Sequence, residues 1–256
     1  MIKTATYDTI RYKKNYLKQV IARADFHQLP EGLSKLPKKV RDVIKKRFPI
    51  LEPNVISSRE FQISRKELST KDSEFPSWNF HDKNRTKRLT INQTAVFVTY
   101  TEFETFEVLK DDFMQALHEL FNILPDAQIS RLGLRYINEI ELQESNPFEW
   151  GNYLQPELCG AMQVASTKEE LSRALSVLEF NLDDFILRFQ FGMHNPDYPA
   201  RIKRKSFILD FDAYYQGLLE QGEVEVNLTK FHDRIQMLFE QSITPGLREI
   251  MNDEQN

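Results

Sequence analysis

The chain has 256 residues, 41% of them hydrophobic and 28% charged, with 19 Phe and 9 Tyr to fill a core and a net charge of −4. That length buries a substantial core as one large domain or two small ones. Only 8 Gly and 11 Pro exclude a low-complexity or fibrous chain, and no apolar run is long enough for a membrane-spanning helix. The single Cys159 excludes an intrachain disulfide and a cysteine-based zinc site within one chain.

The opening MIKTATYDTI lacks the basic-then-apolar layout of a secretory signal, so the expected address is cytoplasmic and no membrane partner is implied. Charge is unevenly spread. Residues 1–90 hold 21 Lys+Arg against 10 Asp+Glu, a balance of +11, and the remainder carries −15. Such asymmetry fits a basic surface for an anionic partner, or two parts that neutralise each other within one fold or across a dimer.

In chain order, Tyr16–Phe26 alternates apolar and polar and predicts a first strand, followed by a turn over Leu29–Gly32. Leu36, Val40, Val43 and Ile44 have helical spacing, stopped by Pro49. That helix carries Lys38, Lys39, Arg41, Lys45, Lys46 and Arg47 against one acid, Asp42. The run reads as a solvated face or as an anion-binding one. Val55–Ile63 predicts a strand and Ser69–Pro76 a polar loop. Trp78 and Phe80 open another strand, joined by a turn at His81–Asn84 to Lys87–Thr101, with a second turn at Asn92-Gln93. Aromatics and Arg85, Lys87 and Arg88 interleave here, as on single-strand-binding surfaces or as core rings beside a basic hairpin tip.

Asp111–Leu124 predicts a helix burying Phe113, Leu117, Leu120, Phe121 and Leu124. Ile129–Leu142 predicts a long strand with one apolar face. Asn146–Gly160 is a connection with Pro147, Trp150 and Pro156, giving halves of 1–145 (basic first third) and 146–256 (acidic), or one intimate domain. Leu175–Leu182 and Asp184–Met193 predict a hairpin, Phe207–Tyr214 a strand, and Leu218–Asn227 an irregular acidic stretch. Thr229 is placed to cap a last helix through Phe231, Ile235, Leu238 and Phe239. The two helices share F-x3-[L/I]-x2-L-F, which suggests an internal repeat of strand–strand–helix units. The fold class expected is α+β, mainly antiparallel sheet with packed amphipathic helices.

Candidate chemistry is sparse. His27, His81, His118, His194 and His232 show no metal-binding spacing, and no phosphate-loop, dinucleotide or nucleophile-elbow motif occurs, so no cofactor is implied. Asp210 and Asp212 share a strand face and would suit a divalent metal, with Asp183 and Asp184 nearby. The plainer alternative is that all four face solvent or pair with the basic run Arg201–Lys205. Arg131 and Arg135 share another face, spaced to grip a phosphate or to pair with Glu139 and Glu141. Asn138, on the apolar face, needs a hydrogen-bond partner if buried.

RLGLRYIN at 131–138, with YLKQVIARADF, FILDFDAY and the final helix with ITPGLREIM, resembles the signature segments of a sporadically distributed family of uncharacterised prokaryotic proteins sharing an RxGLRYxN-type strand. A proline-rich entry associated with that family is missing. The resemblance implies no catalytic residues and a mobile or defence-linked setting. The function expected is therefore non-catalytic binding, accessory to a mobile-element, toxin–antitoxin or phage-defence system, with a protein partner, a homodimer or nucleic acid as partner. An anion would be held by Lys38, Lys39, Lys45, Lys46 and Arg47, helped by Arg85, Lys87, Arg88, Arg131 and Arg135. The alternative is a metal-dependent hydrolase or nuclease using Asp210 and Asp212.

Overall fold

The computed structural model describes residues 10–26, 36–63, 68–164 and 166–252, with backbone alone over 56–63 and 68–74. The turn expected at Leu29–Gly32 and His27 lie outside the described residues. The strands are β1 (Leu17–Phe26), β2 (Ile50–Ile63), β3 (Leu68–His81), β4 (Lys87–Asn92), β5 (Ala95–Tyr100), β6 (Ile129–Leu142), β7 (Ala174–Asn181), β8 (Ile186–Met193) and β9 (Lys205–Leu219). The helices are α1 (Lys38–Ile44), α2 (Phe106–Ile123), α3 (Gln221–Ser242) and α4 (Pro245–Asn252). The strands form one sheet in the order β2-β3-β4-β5-β1-β6-β9-β8-β7. Pairs β2–β3, β3–β4, β4–β5, β7–β8 and β8–β9 are antiparallel, so the class is α+β.

The chain divides into two compact units. One, here the α2 unit, comprises Ile21–Gly133 and Gln216–Val226; the other, the α3 unit, comprises Met1–Val20, Leu134–Tyr215 and Asn227–Asn256. The boundary expected near residue 145 falls inside the second of these.

In the α2 unit, β2 to β5 form a meander. Phe80 pairs with Leu89 and Trp78 with Ile91, and all four are buried. Alternation thus sends the aromatics of this hairpin into the core. Helix α2 starts five residues before the expected Asp111, because Thr105 Oγ1 accepts the amide of Val108 at 3.3 Å and caps the first turn. Leu109, Phe113, Ala116, Leu117 and Leu120 give it a fully buried stripe at three- and four-residue steps. Phe121 meets Phe26 edge-on with ring centroids 6.1 Å apart. The stretch Ser69–Pro76, expected as a loop, is strand paired with β2 from Val55 to Gln62. Backbone hydrogen bonding to a neighbour, not side-chain alternation, makes it a strand.

In the α3 unit, Leu187, Phe189 and Phe191 on β8 share a buried face with Phe207, Leu209, Phe211 and Ala213 on β9. Phe189 and Phe211 stack at 4.4 Å, and Phe211 meets Phe239 of α3 edge-on at 6.4 Å. The connection after β6 is a packed crossing. Trp150 is buried against Phe207 at 5.2 Å, and a 3-10 helix follows at Pro156–Val164. Asn138 is buried and its side-chain amide donates to the Leu209 carbonyl at 3.2 Å, as a buried amide on an apolar face requires.

The stretch expected to be irregular after Leu218 is instead the end of β9 and the beginning of α3. Thr229 therefore lies eight residues inside the helix and caps nothing at its start. Val224, Leu228, Phe231 and Ile235 are all buried and extend the apolar stripe upstream.

Candidate functional site

The ten basic residues singled out from the sequence fall into two groups. Five have a carboxylate within ion-pair distance, and Arg131 shares its carboxylate with Arg23. Arg47 lies 2.5 Å from Asp112, Arg85 2.6 Å from Glu52, Lys87 2.7 Å from Glu104, Arg131 3.7 Å from Asp25 and Arg135 2.6 Å from Asp210. The other five, Lys38, Lys39, Lys45, Lys46 and Arg88, are exposed and make no ion pair among the described residues.

Helix α1 explains why its lysines are free. Val40 and Ile44, four apart, are its buried residues, so the helix turns Lys38, Lys39 and Asp42 outward. Lys45 and Lys46 follow in the exit turn, whose amides bond back to the Arg41 and Val43 carbonyls at 2.9 and 3.2 Å. The first turn holds no acid and Pro37 offers no side-chain cap, the reverse of the charge order that a helix favours. Asp42 sits four residues from both Lys38 and Lys46, yet it pairs with neither.

Arg47, next in line, is itself exposed but reaches a buried carboxylate bonded to a phenol. Tyr100 Oη donates to one oxygen of Asp112, and Arg47 Nη1 donates to the other. Asp112 is nearly sealed from solvent, and the Asp112 bond holds the guanidinium more firmly protonated than usual. The Tyr100 hydroxyl is pushed well above its ordinary value, by burial first and then by its bond to Asp112. Lys87 lies over the Tyr100 ring, 4.9 Å from its centroid.

Arg47, Asp112 and Lys87 line an open cleft of about 620 Å³ beside the β3–β4 turn. Asp82 organises that turn. Burial alone would raise its carboxyl, but the amides of Lys87 and Asn84 and the Thr86 hydroxyl outweigh it and hold the carboxyl below its usual range. Arg85 takes a left-handed backbone, φ 59°, at the tip. The cleft contains Asp82, Glu102, Glu104, Asp111 and Asp112 against Arg47 and Lys87, both already neutralised. Among the described residues that line it, an anion finds no free cation. Exposed lysines of this unit without an ion pair among the described residues are Lys38, Lys39, Lys45 and Lys46 on α1 and its exit turn, and Lys83 in the β3–β4 turn.

The aspartate pair is also accounted for. Asp210 is buried and accepts two parallel bonds from Arg135, Nε at 2.8 Å and Nη2 at 2.6 Å. A metal ion at Asp210 would have to displace that guanidinium. The partner is Arg135 on β6, not the Arg201–Lys205 run, in which Arg204 meets Asp197 and Lys205 meets Glu144. Asp212 faces Arg188 across the β8–β9 register, and Asp184 pairs with Lys230. Arg131 meets Asp25 and Arg135 meets Asp210. Glu139 gathers Lys18 at 3.5 Å, His194 at 3.2 Å and Ser206 at 3.2 Å. His118 is exposed, whereas His232 is held by the Tyr136 hydroxyl at 3.0 Å. No group of three His, Cys, Asp or Glu is disposed to hold a metal ion among the described residues.

Among the described residues no helix is long and apolar enough to cross a membrane. Compared with known protein families and with curated proteins, the chain matches none.

Proposed function

We propose that the protein acts by binding, not by catalysis, and that the outer face of α1 with its exit turn is the surface that meets an anionic partner, a nucleic acid. One observation carries this. Lys38, Lys39, Lys45 and Lys46 are exposed with no carboxylate among the described residues, while Arg47, Arg85, Lys87 and Arg135 are each neutralised by one and Arg131 shares Asp25 with Arg23. Unpaired lysines repel one another and add no packing, so they cost stability unless a partner compensates. Phosphates would do so while releasing counterions. Arg88, exposed on β4, is the further unpaired cation of the set.

A role as accessory to a mobile-element, toxin–antitoxin or phage-defence system rests on the likeness of the Arg131–Asn138 strand to the family described above. Two related halves belong to the same proposal. Each of α2 and α3 directly follows a strand, and both bury the matching positions Phe113 and Phe231, Leu117 and Ile235. Hydrolysis at Asp210 and Asp212 is the weaker reading, because Arg135 already occupies Asp210.

Fluorescence anisotropy of labelled single- and double-stranded DNA and RNA, with and without Mg²⁺, tests this directly. The expected result is binding that weakens steeply with added salt and leaves the probe intact. Probe shortening in Mg²⁺ would restore the hydrolase. Salt-independent binding, or none at low salt, would remove the α1 face as a phosphate site.

A further inference from the structure

The two edges of the sheet are unequally defended. Edge strand β2 carries Glu52, Pro53 and Asn54, all exposed, and proline has no N–H to offer a neighbouring strand. Edge strand β7, ALSVLEFN, has neither proline nor lysine, and exposes Leu175, Val177 and Leu178 at 38%, 46% and 47%. Its inner side is fixed. Gly192 of β8 takes φ 133° opposite Leu175, and a Cβ there would lie 2.1 Å from the Ala174 carbonyl oxygen. Among the described residues the outer edge has no strand neighbour, and Leu175 and Val177 are exposed on one face beside it, the ingredients of strand addition.

We propose that β7 pairs antiparallel with β7 of a second copy of this chain, about a two-fold axis through Ser176. The side-chain pattern selects this occupant and this register. Leu175, Val177 and Glu179 alternate onto one face of β7, and Arg173 immediately precedes the strand. Pairing Ser176 with its own counterpart sets Leu175 opposite Val177 and Arg173 opposite Glu179, and the symmetry forms each pair twice. A shift of the axis to Val177 sets Leu175 against Glu179. A shift to Leu178 sets Val177 against Glu179. Both put a charge on an apolar side chain, so only the Ser176 register satisfies all four positions.

The charges are poised for it. Arg173 is held outside the end of β7, its guanidinium 3.9 Å from the Tyr198 ring centroid and its Nε bonded to the His194 carbonyl at 3.0 Å. Glu179 is exposed and meets Arg188 only loosely, at 3.7 Å. The dimer draws on β7 and its flanks alone and is independent of the α1 reading.

Sedimentation velocity of the full chain is the test. The wild type is expected to sediment at about twice 30.3 kDa at micromolar concentration. Val177→Lys, at an exposed position, should give a monomer with unchanged circular dichroism. Arg173→Glu and Glu179→Arg should each weaken the dimer at least about tenfold, and the two together should restore it. A wild type that stays monomeric up to about 100 μM overturns the dimer. A dimer that survives Val177→Lys overturns the β7 interface, and failure of the double variant to recover overturns the register.

Discussion

Lys39 and Arg135 carry the same formal charge under opposite physical conditions. Arg135 is half-buried and spends its guanidinium on both oxygens of a buried Asp210, whereas Lys39 stands in water, unpaired among the described residues. Buried charge must be matched inside the protein, because the desolvation penalty is large. Exposed charge need not be, and its unmatched presence on a seven-residue helix has no structural return. The difference separates cations that hold the fold from cations available to a partner.

The comparison breaks most visibly at Arg135. Arg135→Ala strands the Asp210 carboxylate in the sheet and should cost about 3 kcal/mol in denaturant unfolding. Asp210→Asn should cost less, since Arg135 is 40% exposed and regains water. Equal losses would mean that the pair is not the source of the asymmetry.

Tyr100→Phe comes next, at about 1–2 kcal/mol near neutral pH, because the variant cannot donate to Asp112. It also carries a pH signature. The folded state raises the Tyr100 hydroxyl above its ordinary value of 10.0, so its contribution is complete below that pH and is lost as pH climbs above it. The variant should therefore lose stability less steeply in alkali than the wild type. Tyr12, raised by burial and by its bond to Glu240, adds the same sign of dependence and leaves a residual slope.

The smallest effect is expected at α1. Replacing Lys38, Lys39, Lys45 and Lys46 together by Gln should change unfolding stability by no more than about 0.5 kcal/mol, or raise it slightly, as like charges are removed. A loss of several kcal/mol would make these lysines structural and erase the distinction from Arg135.

Much of this fold was legible because it is written in local periodicity. The strict alternation of Leu187, Phe189 and Phe191 and the helical steps of Phe113, Leu117 and Leu120 each identify an element and its buried face. The Lys71–Glu74 segment misled, since its polar run carries no alternation and its strand state comes from pairing with β2. The start of α3 was obscured by Gly222 and the branched Val224 and Val226, weak helix formers, although the four-residue step from Val224 to Leu228 marked it.

The site was legible in half. Sequence found the lysines of α1 from their density around one acid. It missed that Arg47 belongs with Asp112, 65 positions away, and Arg135 with Asp210, 75 positions away. Those partners are set by sheet order and helix packing, which a linear pattern does not contain.

The most direct test compares the salt dependence of duplex binding by the wild type and by the four-lysine Gln variant. The account predicts that the slope of log K against log salt shallows by about 0.9 for every phosphate that the variant no longer neutralises, with affinity falling at low salt and little changed at high salt. Identical slopes and affinities for the two proteins would contradict it.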